Sequence, residues 1–284
     1  MKRSLIHQLF RAATGICAVG ACGVLLVVIG AIVQRGWPAL KWAFFTEQIQ
    51  MAGASGGIVY NLLGTGILIA SAFAASAPVA LGLALMHEVY LPPGRWRRGQ
   101  ELLLYLLNGV PSILFGLFGF IVFVQGLGWG KSWFSGGLLL GFMILPTVTV
   151  ALMGRLAAVP RAQLEAAAAL GMRRPQIIRA VLLPPSLGGL VTGSLLGLAR
   201  AAGETAPIMF TATVFTGATL PTGFKESPVL SLPYHIFILA QDSFDPATGV
   251  QLWGTALTLL LVVSALSLLA LTARLRQPSP SSYD

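Results

Sequence analysis

Arg200-Ala-Ala-Gly-Glu204-Thr-Ala-Pro207 lies inside a long apolar run, Leu187 to Val214. The stretch sets one full positive and one full negative charge in otherwise oily sequence. A charge at mid-membrane costs at least ~2.5–3.5 kcal/mol on insertion scales. Arg200 and Glu204 are four residues apart, so on a helix they share a face. Ionisable residues placed this way usually pair, face the interior of a bundle and mark a substrate path. A structural salt bridge that staples two helices is the plainer alternative.

Outward from that stretch the chain stays apolar. Of its 284 residues 56% are hydrophobic and 10% charged, and the mean hydropathy is +0.81. A soluble domain carries about 25% charged residues, so this is an integral membrane protein. Six apolar spans run roughly over 12–33, 58–86, 102–125, 136–157, 187–217 and 251–273. Each reaches the ~20 residues that a helix needs to cross the hydrocarbon core. All are too long and too evenly apolar for barrel strands. The expected fold class is all-α with six transmembrane helices. Residues 1–57 hold the N-terminus, the first helix and an external loop; 58–273 form the core; 274–284 form a tail. The tail from Gln277 is polar and reads as disordered. No soluble module is expected.

The formal net charge of +9 could suggest nucleic acid. Its distribution argues against that partner. Thirteen Lys and Arg residues flank one side of the spans, at 2–11, 95–98, 155–179 and 274–276. The other side has Arg35, Lys41, Lys131 and Lys225. The positive-inside rule then places both termini and the loop 158–185 in the cytoplasm, with 218–250 outside.

The N-terminal run deserves comparison with a signal peptide, because Val19-Gly20-Ala21-Cys22 resembles a lipoprotein cleavage box. Apolar sequence continues to Val33, which favours an uncleaved first helix. Cys17 and Cys22 are too few for a disulfide framework and lack metal-ligand company. His7, His87 and His235 are scattered and read as interfacial or loop residues.

The inner loop has a definite architecture. Pro160 suits the first position of a helix, the alanines after Glu165 are strong helix formers, and Gly171 suits a left-handed closing residue. Pro175 can open a second short helix ended by Pro184-Pro185. Ala166, Ala167 and Leu170 form a small-residue face beside Glu165. Such an element could insert into a groove on a partner or lie on the lipid surface.

Gly189, Gly193, Gly197 and Ala201 recur every four residues, which lets helices approach closely. Pro207 is expected to bend the same helix. A gate at a subunit interface and ordinary intrachain packing both fit this pattern. Asn61 with Thr65, and Asn108 with Pro111 and Ser112, could offer donors to a passing anion or could bond neighbouring helices. Gly53 to Gly57 reads as a flexible lead into the second span. The stretch Gly126 to Ser132 resembles a P-loop but has Gln125 where the pattern requires glycine, so nucleotide binding is not expected there.

Glu165-Ala-Ala, Gly171 and Leu183-Pro184 resemble the loop signature of binding-protein-dependent ABC importer permeases, with Val181 in place of an isoleucine. Arg200 to Pro207, Val110 to Gly119, Ser231 to Ala240 and Gly56 to Thr65 are similar to the phosphate-specific permeases of that class, in particular their A-type subunit. The resemblance covers about Gly56 to Arg274. It implies the type I importer fold, a five-helix core with one added span. Glu165, Ala166, Ala167, Gly171, Leu183 and Pro184 would then dock the ATPase. Arg200, Glu204, Thr205, Asn108 and Ser112 would line the substrate pathway.

The implied protein is a non-catalytic inner-membrane subunit that moves inorganic phosphate inward by alternating access. It would work with a second phosphate permease, an ATPase dimer and an external phosphate-binding protein. It would hold no cofactor or metal itself; ATP and magnesium would sit in the ATPase. Phosphate permeases of this type often carry another arginine near the inner end of span four. The corresponding position is Val150, and Arg155 is the nearest arginine. The alternatives are a permease for sulfate, molybdate or phosphonate, a phosphate-sensing scaffold, and a secondary transporter, against which the docking loop argues.

Overall fold

The computed structural model describes residues 2–275, apart from 51, 52, 54 and 242–245. Asp242, Asp245 and the polar tail lie outside the described residues.

Helix α1 (Lys2–Gly36) runs unbroken through Cys22. None of its apolar window is buried by the rest of the chain, whereas two-thirds of the corresponding window in the central helix is. It meets the core at its C-terminal end, where the Arg35 guanidinium lies 5.0 Å from the Trp253 ring. A short helix α2 (Trp42–Thr46) and a two-residue hairpin, β1 (Ile49–Gln50) with β2 (Ser55–Gly56), lead to the second span. This lead is held rather than flexible at its end. Gly57 N donates to Gln48 O, Ile58 N donates to Phe44 O, and a Cβ on Gly57 would meet three backbone oxygens within 2.7 Å.

Helix α3 (Val59–Leu85) continues into a wide π turn, Met86–Tyr90. The expected third span is not one straight helix. Helix α4 (Arg95–Gly109) and helix α5 (Ser112–Gly119, prolonged by a π segment to Gly126) meet at 94°. The cause is local. A residue before proline is pushed out of the helical region, and Val110 is extended at ψ 129°, as is Pro111 at ψ 134°.

Helix α6 (Trp133–Ala157) is the centre of the molecule. It opens on Ser132, whose hydroxyl accepts from Ser135 N at 3.2 Å. Ile144, Val148 and Leu152 pack with Ala72, Ala80 and Ala84 of α3 in the main apolar cluster. Helix α6 also packs closely against helix α9 (Leu183–Ala202). Cβ atoms on Gly193 and Gly197 would fall 2.7 Å from Ala151 Cβ and 3.2 Å from Ile144 Cβ. The small-residue seam is therefore intrachain packing, and the subunit-gate alternative does not hold for it.

Helices α7 (Arg161–Ala169) and α8 (Arg174–Ile177) form the expected elbow around Gly171. The expected stop at Pro184-Pro185 does not occur. A π turn, Ile178–Leu182, joins α8 to α9, and the helix runs from Arg174 to Ala202. The wide turn interrupts the regular ladder just ahead of the prolines, where their missing donors cost least.

Span five is shorter than expected. It ends at Ala202, before Pro207, and Pro207 instead starts helix α10 (Ala206–Thr211). The chain then returns through a parallel bridge, Thr213 with Val229, to helix α11 (Leu232–Gln241) and helix α12 (Pro246–Leu275). Asn61 Nδ2 donates to Ser231 O at 3.3 Å, and Leu232 N donates to Thr65 Oγ1 at 2.9 Å. These two polar residues of α3 thus anchor α11. Among the described residues five helices are long and apolar enough to cross a membrane, or six with the bent pair counted as one span.

His87 and His235 are buried at 1% exposure, against the interfacial or loop reading. His235 stacks on Phe215 at 6.0 Å, and burial lowers its pKa to about 4. His87 sits in a polar cluster described below.

Candidate functional site

Arg200 occupies the last turn of α9, where the partial negative charge of the helix end favours a cation. Glu204 follows the break at Gly203, just ahead of α10. The two still meet, with Nε donating to Oε1 at 3.5 Å. The shorter contact is to a different helix. Arg200 Nη1 donates to Asn108 Oδ1 at 3.0 Å. Asn108 sits one residue before the end of α4, at the 94° bend. The two proline-driven breaks therefore bring the charged stretch and the polar cluster of span three together.

A guanidinium has five N–H donors in a planar fork. One points at Glu204 and one at Asn108, so three are unengaged among the described residues. The Arg200 side chain is 39% exposed and Glu204 16%. An ion pair with a single 3.5 Å contact at this exposure stabilises little. The arrangement is poorly suited to a staple. It is well suited to presenting a charged fork to an oxyanion.

Neighbouring backbone frames this group. A Cβ on Gly116 would lie 2.8 Å from Ala206 O and 2.9 Å from Phe210 Cδ2, so α5 and α10 touch through bare backbone. The far end of α10 is tied by Lys131 Nζ, which donates to Met209 O at 3.0 Å, and by Ser132 N, which donates to Thr211 O at 2.9 Å. Lys131 of the discarded P-loop match is thus a helix-end cap, a role for which the sequence reading had no signal. Ser112 opens α5 at the bend, and Thr205 stands before α10 without capping it.

Arg155 is in the last turn of α6, its stem beside Gly189. Gly189 precedes Arg200 by eleven residues, about 16 Å along the helix axis. The two arginines belong to different depths.

In the inner elbow, Gly171 adopts φ +72°, with its N–H donating to Ala168 O and that of Met172 to Ala167 O. The expected small-residue face is divided. Ala167 is buried, while Glu165, Ala166 and Leu170 point outward, Leu170 at 82% exposure. Leu183 is half-buried and Pro184 exposed. Leu164 and Ile178 pack against the main core and hold the elbow to it.

Among the described residues no group of three His, Cys, Asp or Glu is placed to hold a metal ion. Sequence reasoning missed one polar cluster altogether. His87 Nε2 accepts from Arg97 Nε at 2.9 Å and lies 3.3 Å from Glu101 Oε1, and Arg97 Nη2 donates to Glu88 Oε1 at 3.0 Å. It clamps the start of α4 to the end of α3.

Residues 77–277 match the family model for the binding-protein-dependent transport system inner membrane component. The chain is 32% identical over 270 residues to phosphate transport system permease protein PstA 2 of Mycobacterium bovis, covering 94% of this chain and 87% of that one. It is 31% identical over 253 residues to PstA of Xylella fastidiosa, covering 88% and 86%. Among solved structures it is similar to the MetNI methionine ABC transporter in an inward-facing form, at TM-score 0.58 and 18% identity, over 78% of this chain and 98% of that one. That likeness carries the type I importer fold. The long apolar helices, the glycine elbow and these matches agree: the chain belongs to the family of binding-protein-dependent transport system inner membrane components, the permeases of ABC importers.

Proposed function

We infer that this chain is the permease subunit of an ATP-driven importer that carries inorganic phosphate across the inner membrane. The observation that carries this is Arg200: an exposed guanidinium at the end of a membrane helix, steered by Asn108, with three donors free among the described residues. The phosphate permeases among its relatives support the choice of anion. Glu204 keeps the site from holding the anion too firmly, since passage requires release as well as binding. Thr205 at the break before α10 and Ser112 at the bend that opens α5 add hydroxyls to the path.

The chain itself catalyses no reaction, and ATP hydrolysis belongs to a separate subunit. In this reading the elbow at Gly171 docks an ATPase dimer that holds ATP and magnesium. A second phosphate permease completes the pathway, and an external phosphate-binding protein delivers the anion. Closure of the ATPase pulls the inner elbow, and the pathway alternates between outside and inside access. Both termini are cytoplasmic. Cysteines placed at Ser279 and Thr222 check that topology: an impermeant reagent should label Thr222→Cys alone in intact cells.

Arg200→Gln tests the site. It should abolish phosphate uptake while the complex still assembles, and Arg200→Lys should restore only part, because an ammonium lacks the fork. Exchanging the charges (Arg200→Glu with Glu204→Arg) should leave uptake lost. Full uptake by the exchanged protein would return the pair to a structural role. Competition by sulfate, molybdate or phosphonate at equal concentration would reassign the anion.

A further inference from the structure

We propose that the cleft at the start of α4 binds the headgroup of an anionic phospholipid. The proposal rests on membrane insertion and not on which substrate crosses. The cleft has a volume of about 720 Å³ and is lined by Gly94, Arg95, Arg97, Arg98, Gly99, Glu101 and Leu102, with Pro93 at its edge.

The three arginines differ in their commitments. Arg97 is spent internally on His87 and Glu88. Arg95 and Arg98 are exposed, and among the described residues neither has an acidic partner. Glu101, the acidic group on the wall, is 3.3 Å from His87 Nε2. Two uncommitted guanidinium groups therefore flank one cavity. Gly99 lies between them and Leu102, and a Cβ there would meet nothing within 4 Å. The missing side chain leaves the cavity open.

The choice of lipid over a free phosphate ion comes from the apolar surroundings. Trp96, beside the arginines, is 74% exposed. One turn further along α4, Leu102, Leu103 and Leu106 are exposed as well. Arg95, Arg98 and Leu102 recur at helical spacing, so one face passes from charge to hydrocarbon within two turns. That gradient matches a phosphodiester with acyl chains below it, and exposed Trp sits well at the headgroup level. A soluble phosphate would use the arginines and leave this apolar surface unexplained. Tyr90, under the Arg174 guanidinium at 5.9 Å, carries the aromatic rim on toward the elbow.

The test is native mass spectrometry of the assembled, detergent-purified complex incubated with phosphatidylglycerol or phosphatidylcholine. The complex should retain phosphatidylglycerol selectively. Arg95→Gln with Arg98→Gln should weaken retention on the order of thirty-fold, from the usual contribution of each basic residue near an anionic surface. Gly99→Leu fills the cavity without changing charge and should also displace the lipid. Arg11→Gln with Arg274→Gln removes the same charge from the same side and should leave retention intact. Equal loss in that control pair would overturn the site in favour of diffuse attraction. Retention unaffected by Gly99→Leu would overturn the cavity, and displacement by millimolar inorganic phosphate would show a free-anion site instead. Phosphate uptake is measured in parallel, so failure of the transport reading is seen separately.

Discussion

Asn108→Asp separates a pathway arginine from a structural one more sharply than any change at Arg200 itself. Asn108 now offers a neutral oxygen at 3.0 Å from Arg200 Nη1. A carboxylate there would strengthen the grip on the guanidinium and stabilise any purely structural pairing. It would also place a negative charge on the order of 7 Å from an anion seated on the free side of the fork. At an effective dielectric near 20 that repulsion is about 2.4 kcal/mol per unit charge, or roughly fifty-fold in occupancy. Asn108→Ala loses only an exposed hydrogen bond, about 1 kcal/mol or roughly five-fold. The expected order of uptake is wild type, then Ala, then Asp far below. The assay is the initial rate of radiolabelled phosphate uptake at phosphate well below saturation, in cells whose importer carries the variant, normalised to assembled complex. Uptake by Asn108→Asp equal to or above Asn108→Ala would refute the reasoning, because the added charge would then be felt by Arg200 alone.

Three other outcomes are expected. Gly171→Pro cannot adopt φ +72°, and Glu165→Lys reverses an exposed charge on α7; both should reduce ATPase co-purification without loss of membrane insertion. Gly193→Leu forces a side chain where even a Cβ lies 2.7 Å from Ala151 Cβ, and should lower stability by about 1–3 kcal/mol in a thermal melt. Leu at solvent-open Gly99 should not. His235 has a folded pKa of about 4 against 6.5 unfolded, so the unfolded state takes up the proton first. Its stabilisation is therefore full above pH 6.5 and lost as pH falls toward 4, up to about 3 kcal/mol, and His235→Phe should flatten that acid sensitivity.

Long apolar runs were legible because a bilayer gives about twenty apolar residues one solution, the spanning helix. The Gly171 elbow was legible because a left-handed residue after an alanine helix is a local event. Four features were not. The small-residue stripe on α9 announced a close approach but could not say whose helix approached, and α6 of the same chain answers it. The break in span three was written in Val110-Pro111, yet the apolar run around it hid a turn of 94°. Asn108 and Arg200 are 92 positions apart, and no local rule links them. His87 was misread for the same reason, since the groups that make its burial tolerable come from the next helix.

The missing proline stop bears most directly on the proposed mechanism. Two separate helices between the elbow and the membrane would let an ATPase movement dissipate at the joint. The chain instead runs as one helix from Arg174 to Ala202, 29 residues and about 43 Å. Its inner end begins three residues after Gly171, and Arg200 rides on its outer end. Along its length the bare backbone of Gly189, Gly193 and Gly197 lies against Arg155, Ala151 and Ile144 of α6, so the two helix axes approach closely. The one irregular turn, Ile178–Leu182, falls close to the elbow, leaving about 30 Å of regular helix beyond it. In the proposed mechanism a shift imposed at the elbow would be carried along this helix to the guanidinium, while Asn108, on the helix that the His87 cluster ties to α3, would stay behind. Stretching that 3.0 Å hydrogen bond is the smallest change that would loosen the fork and let a bound anion leave.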